Sequence, residues 1–190
     1  MVIEVRAATD AAAVLTLVGA KSPTARVCTC LSYRLPSRER RELDAAGAAA
    51  VIRSWCAAEP APGVVAWDGD EPVGWAAVHP RRETTFARSR VIPHLDDLDV
   101  WSVWCFRVRP GHKRRGIMHH LLDGAVRFAA DSGAPAIEGY PLDNGGARIE
   151  QTMAYVGTLA LFEQHGFTRA AETASVLDGH PRVIARRVLA

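Results

Sequence analysis

The feature that most constrains the fold lies between residues 100 and 132, where the hydrophobic period changes from that of a strand to that of a helix. Residues 100–108, VWSVWCFRV, are β-branched or aromatic almost throughout, which predicts a long strand. Pro110 and Gly111 end it. Ile117, Leu121, Ala125 and Phe128 then recur at helical spacing, predicting a helix from near Gly116 to about Ser132, with Gly133 as its stop. The junction reads RVRPGHKRRGIM, Arg107–Met118, with five Lys/Arg side chains and two glycines.

A strand, a basic glycine-bearing loop and a helix together make a natural anion site. The first helical turn leaves backbone N–H groups without partners, and the helix dipole adds positive charge there. Both favour phosphate or pyrophosphate. Gly116 has no Cβ to keep a phosphate from the backbone, and Lys113, Arg114 and Arg115 add full charges. Neither GxxxxGK[ST] nor GxGxxG occurs, so a P-loop and a dinucleotide fingerprint are both excluded.

The rest of the chain alternates in the same way. Residues 2–7 read as a short strand, and Thr9-Asp10 offers a cap for a helix running to Val18. Residues 21–35 are irregular. Ser37 is the expected cap of a charged helix that continues over Ala45–Ala58, with a break near Gly47. Val64–Trp67 and Val73–Val78 flank Asp68–Pro72 as a β-hairpin. Residues 136–140 predict another strand, 155–165 a helix, and 167–176 with 181–188 a final hairpin around Asp178-Gly179. Neither an internal repeat nor a linker interrupts this order, which implies one α/β (α+β) domain spanning residues 1–190.

The formal net charge of +2 over 190 residues lacks the basic excess of a nucleic-acid-binding domain. No apolar run reaches membrane-spanning length, and the start of the chain reads as a strand, not a signal peptide. The expectation is a protein of the reducing cytoplasm that binds neither nucleic acid nor membrane. Cys28, Cys30, Cys56 and Cys105 form no CxxC pair, and Cys28-Thr-Cys30 lacks the ligand spacing of structural zinc, so no metal is expected.

The loop resembles the acetyl-coenzyme A pyrophosphate loop of the GNAT superfamily of N-acetyltransferases, roughly V-x-P-x-x-[QR]-x-x-G-x-[GA]. Here it runs Val108, Pro110, Lys113, Gly116 and Met118, with Lys113 in the Gln/Arg position and Met118 in the Gly/Ala position. Residues 159–167, LALFEQHGF, are similar to that family's xxLYExxGF, and the strand Ile137–Tyr140 to its LEVxxxN strand. The resemblance covers about Gly63 to Ala190. It extends to a poorly characterised bacterial subgroup through the segments Cys28–Arg34, Pro72–Trp75, Cys105–Gly116 and Glu138–Pro141.

The resemblance implies a mixed, mostly antiparallel sheet flanked by helices on both faces, with splayed central parallel strands. It implies acetyl transfer from acetyl-coenzyme A, the co-substrate, to a primary amine of a small molecule. An N-acetyltransferase of proteins or peptides, or a non-catalytic acyl-coenzyme A-binding module, is the alternative. A homodimer is allowed. The cofactor would lie on Phe106, Arg107 and Val108 and on Lys113, Arg114, Arg115, Gly116, Ile117 and Met118, with the Phe106 N–H as oxyanion donor. Glu138 would relay the amine proton, and Tyr140, on the same strand face, would bind substrate or protonate the thiolate. The usual acid Tyr is replaced by Phe162, and Tyr155, about two helical turns earlier, is a weak substitute. Asp96, Asp97 and Asp99 form either a solvated turn or an attractor for a cationic amine. Trp75 and Trp101 are candidates to reach the acceptor.

Overall fold

The computed structural model describes residues 2–22, 29–147 and 154–189. Seven strands make one sheet: β1 (Ile3–Ala7), β2 (Gly63–Asp68), β3 (Glu71–Pro80), β4 (Trp101–Val108), β5 (Ala136–Gly139), β6 (Thr168–Leu177) and β7 (His180–Val188). Their order is β1-β2-β3-β4-β5-β7-β6. All neighbours are antiparallel except β4 and β5, which run parallel. Five helices are described: α1 (Ala11–Val18), α2 (Ser37–Glu42), α3 (Ala45–Cys56), α4 (Ile117–Asp131) and α5 (Leu159–Gln164). Among the described residues, no helix is long and apolar enough to cross a membrane.

Local chemistry sets the boundaries. Asp10 caps α1 by accepting the Ala12 and Ala13 N–H groups at 2.9 and 3.1 Å. The expected break near Gly47 falls three residues earlier, because Asp44 accepts the Gly47 N–H at 2.7 Å and starts α3 afresh. Ser37 is not a cap. It is the first helical residue of α2, after Pro36, which offers no side-chain bond. The helix expected over 155–165 is only α5. Gly157 at φ 77° interrupts it, and Thr158 caps the helix that follows. Tyr155 therefore lies in a separate short turn at 154–156, and its helical spacing from Phe162 does not hold.

The sheet separates two apolar layers. Leu121, Leu122, Ala125 and Ala129 of α4 and Phe162 of α5 pack on one face with Val103 and Phe106. Val14, Leu17 and Val18 of α1 and Ile52 of α3 pack on the other with Trp75, Trp104 and Tyr140. Trp101 belongs to the α4 layer and meets Phe128 edge-on at 5.5 Å, which removes it from the acceptor candidates.

One irregularity organises the centre. Ala77 pairs with Cys105 but Val78 pairs with Val103, so Trp104 is an extra residue on β4, a β-bulge. The parallel pairing of β4 with β5 runs from Trp101↔Ile137 to Val103↔Gly139 and stops there. β4 continues to Val108 without β5 beside it, so the sheet opens immediately beyond the bulge.

Candidate active site: a cleft along the open edge of β4

Beyond Val103, the peptide groups of Phe106 and Val108 have no backbone partner among the described residues. Arg109 N–H donates to Val73 O at 2.9 Å, so residues 109, 107 and 105 point their peptide groups at β3. By the alternation of an antiparallel ladder, Phe106 and Val108 point theirs the other way, towards the side that β5 has left. A cleft of about 810 Å³ runs along this edge. Cys105, Phe106 and Val108 line it at the sheet, and Thr16, Leu17 and Lys21 close it at the end of α1.

At its mouth lies the loop. Gly111, Arg114 and Gly116 all adopt left-handed backbone, at φ 90°, 59° and 74°. Gly116 is the residue before α4 and has no side chain to offer its amides. A Cβ there would meet nothing within 4 Å, so it is the backbone angle that demands glycine. Successive turns of this kind aim amides into a concavity that suits an anion.

Of the sequence-expected cofactor residues, Phe106, Arg107, Val108, Lys113, Arg114, Gly116, Ile117 and Met118 line the cleft. Arg115 is not among the lining residues. It reaches Asp68 at 3.2 Å and the His112 ring at 2.9 Å. With the 2.6 Å Arg109–Glu71 pair, it braces the loop against the β2–β3 hairpin. His119, at the cleft edge, is linked at 2.9 Å to His165, which in turn meets Asp123 at 2.5 Å.

Glu138 and Tyr140 share a strand face, as expected, but both lie inside the protein. Glu138 is fully buried. Arg81 holds one of its oxygens at 2.6 Å, and Arg186 holds the other at 2.7 and 3.0 Å. Arg81 also donates to Ile92 O and Pro93 O at 3.0 Å, pinning residues 85–95 over β5. The Tyr140 hydroxyl is 2.7 Å from Ser102 Oγ and 3.4 Å from Glu138. Burial, then the Glu138 charge, holds its pKa well above that of an ordinary tyrosine. The acidic turn is engaged: Asp96 pairs with Arg186, and Asp99 with Arg82.

Tyr155 sits where its expected helical spacing did not place it. It lines the cleft near Cys105, and burial pushes its pKa up to about 12. Its signal was obscured because the helical spacing invoked for it does not exist. Beyond the sheet, Tyr33 stacks on Phe86 at 4.5 Å, and Phe86 contacts Trp104 and Tyr140, forming an aromatic wall under α1. Cys28 lies outside the described residues.

An α+β sheet opened beside its parallel pair, with a loop of left-handed turns at the mouth of the opening, is the architecture of a coenzyme A-dependent acyltransferase. The chain belongs to the acetyltransferase (GNAT) family, which residues 31–167 match. No curated protein matches it. Among solved structures, it resembles Ard1 from Thermoplasma volcanium at 12% identity and TM-score 0.55, covering 100% of this chain and 99% of that one. A GNAT-family acetyltransferase from Streptococcus pneumoniae gives 12% identity and TM-score 0.55, with 100% of both chains covered. The NatC complex bound to Gag peptide and CoA gives 15% and 0.55, again over 100% of both. At such identities the likeness is one of fold.

Proposed function

We propose that this enzyme transfers the acetyl group of acetyl-coenzyme A to the primary amine of a small molecule in the cytoplasm. The observation that carries this reading is the free peptide edge at Phe106 and Val108, in the same cleft as the left-handed loop at Gly116. The donor set fits the co-substrate. Edge peptides suit its amide-bearing arm, and loop amides with Lys113 and Arg114 suit its pyrophosphate. Acetyl-coenzyme A supplies an activated thioester.

The chain's own groups do the rest. The Phe106 N–H, directed into the opening, serves the developing oxyanion. Tyr155, protonated at neutral pH, donates to the departing thiolate. Glu138 acts as a positioning residue, because two guanidinium groups already engage its oxygens. Tyr140 and Ser102 hold β5 against β4 at the last paired rung. The small-molecule assignment rests on the closed end of the cleft, where Thr16, Leu17 and Lys21 bound it at the end of α1.

The test is a thiol-release screen with acetyl-coenzyme A against aminoglycosides, polyamines, amino acids and peptides. Release with a small amine is expected. A consistent preference for peptides would overturn the small-molecule assignment. Tight acetyl-coenzyme A binding without release for any amine would overturn catalysis itself.

A further inference from the structure

Past the loop, the cleft meets a chain of three hydrogen-bonded side chains that acetyl transfer does not use. His119, in the first turn of α4, is the lining residue furthest along that helix. Its Nδ1 lies 2.9 Å from His165 Nε2, and His165 Nδ1 lies 2.5 Å from Asp123 Oδ1. His119 and Asp123 are four residues apart on α4, so they share a helix face. His165 closes α5 and reaches between them, its side chain only 10% exposed. Arg187 of β7 fixes it by donating to its carbonyl at 2.6 Å.

The chain sorts charge. Asp123 and His165 line a separate surface hollow, together with Arg186 and Arg187. Of the three, only His119 lines the cleft. Among the described residues of the cleft lining there is no carboxylate, and His112, Lys113 and Arg114 stand with His119 at the loop end. That end suits an anion.

Proton counting fixes what His119 can offer. A carboxylate accepts, so His165 Nδ1 carries the hydrogen of its bond to Asp123. With both rings neutral, His165 Nε2 accepts from His119 Nδ1, and His119 Nε2 is a lone pair. One proton added to the pair makes His119 Nε2 an N–H donor, and Asp123 supplies the counter-charge. The bond at Nδ1 holds the ring, and Nε2 has no hydrogen-bond partner among the described residues.

The order of groups along coenzyme A says what lies there. Beyond its amide arm comes the pyrophosphate, and beyond that a ribose bearing a phosphate monoester at its 3′ position. With the arm on Phe106 and Val108 and the pyrophosphate at the loop, the ribose lies past the loop, on the side of His119.

We propose that His119 holds the 3′-phosphate of coenzyme A through Nε2–H, with His165 and Asp123 orienting the ring and balancing its proton. The inference rests on the acetyl-transfer reading and extends it to the end of the co-substrate remote from the thioester. It makes the enzyme selective for coenzyme A over thioesters that lack this phosphate.

The test is calorimetric titration of the full chain at pH 6.5 with coenzyme A and with dephospho-coenzyme A, which lacks only that phosphate. Coenzyme A should bind about tenfold or more tightly, the worth of a charged hydrogen bond. His119→Phe, at an exposed helix position, should bring the ratio close to one. His165→Phe, which removes the ring behind His119, should lower it. Unchanged binding of dephospho-coenzyme A in each variant shows that fold and loop are intact. Arg114→Ala should weaken both ligands alike and preserve the ratio. Equal binding of the two ligands, an unchanged ratio in either histidine variant, or a ratio lost in Arg114→Ala would overturn the inference and leave acetyl transfer standing. Failure of both ligands to bind would overturn it together with the acetyl-transfer reading.

Discussion

The ring of Phe162 fills the space beside Gly139. A Cβ on that glycine would sit 2.1 Å from Phe162 Cε1, closer than non-bonded atoms approach. The contact lies at the last rung where β4 and β5 pair, so the aromatic ring is wedged where the two strands part. Gly139→Ala should therefore destabilise the fold by about 1–3 kcal/mol through overpacking. Gly139→Ala with Phe162→Leu should recover part of the loss, measured as urea midpoints.

Glu138→Gln leaves Arg81 and Arg186 facing a neutral group inside the protein. A stability loss of about 3–5 kcal/mol is expected, typical of breaking a buried pair. On the positioning role proposed for Glu138, the acid limb of the pH–rate profile should not move. Loss of that limb in the variant would restore Glu138 as the base.

His79 predicts an acid-sensitive stability. It is 1% exposed, and burial followed by the charge of Arg34 pushes its pKa down to about 4, from 6.5. The half-exposed Glu83 carboxylate 3.5 Å away does not reverse this. Between those values the unfolded chain binds more protons, so stability rises with pH across the window. Its contribution is fully present above about pH 6.5 and is lost progressively towards pH 4, by roughly 2–3 kcal/mol. His79→Phe should flatten this part of the stability curve in chemical denaturation.

The loop separates backbone from charge. Gly116→Asp forces a left-handed angle on a residue with a Cβ and adds a negative group beside the amides, and should abolish coenzyme A binding. Arg114→Ala should weaken binding by about three- to tenfold, the worth of one charged contact. Arg115→Ala should change affinity less than Arg114→Ala, since Arg115 is turned to Asp68. Calorimetric titration with coenzyme A ranks the three.

Tyr155→Phe tests the acid. A fall in kcat of about tenfold to hundredfold with little change in KM is expected for loss of a proton donor. A change confined to KM would make Tyr155 a binding residue.

What was legible in the sequence was local. The period change across residues 100–132 located β4, the loop and α4 because a strand and a helix carry different repeats. The glycine-bearing loop between them was readable for the same reason. The partners of Glu138 were not, since Arg81 lies 57 residues and Arg186 48 residues away, and only the sheet brings them together. The helix over 155–165 was over-extended although Gly157-Thr158 spelled its break. Apolar continuity on either side outweighed that cap.

The extra residue at Trp104 has a consequence in counting. Side chains on a strand alternate faces, so one added residue exchanges odd and even for everything beyond it. Trp101, Val103 and Phe106 face α4 because the bulge lies between the second and third of them. Were β4 to pair regularly with Trp104 retained, Phe106 would turn to the opposite layer and the peptide groups of β4 that face the opening would swap. In this strand chain length is itself a chemical variable: the one extra residue decides which layer every side chain from Phe106 onward joins.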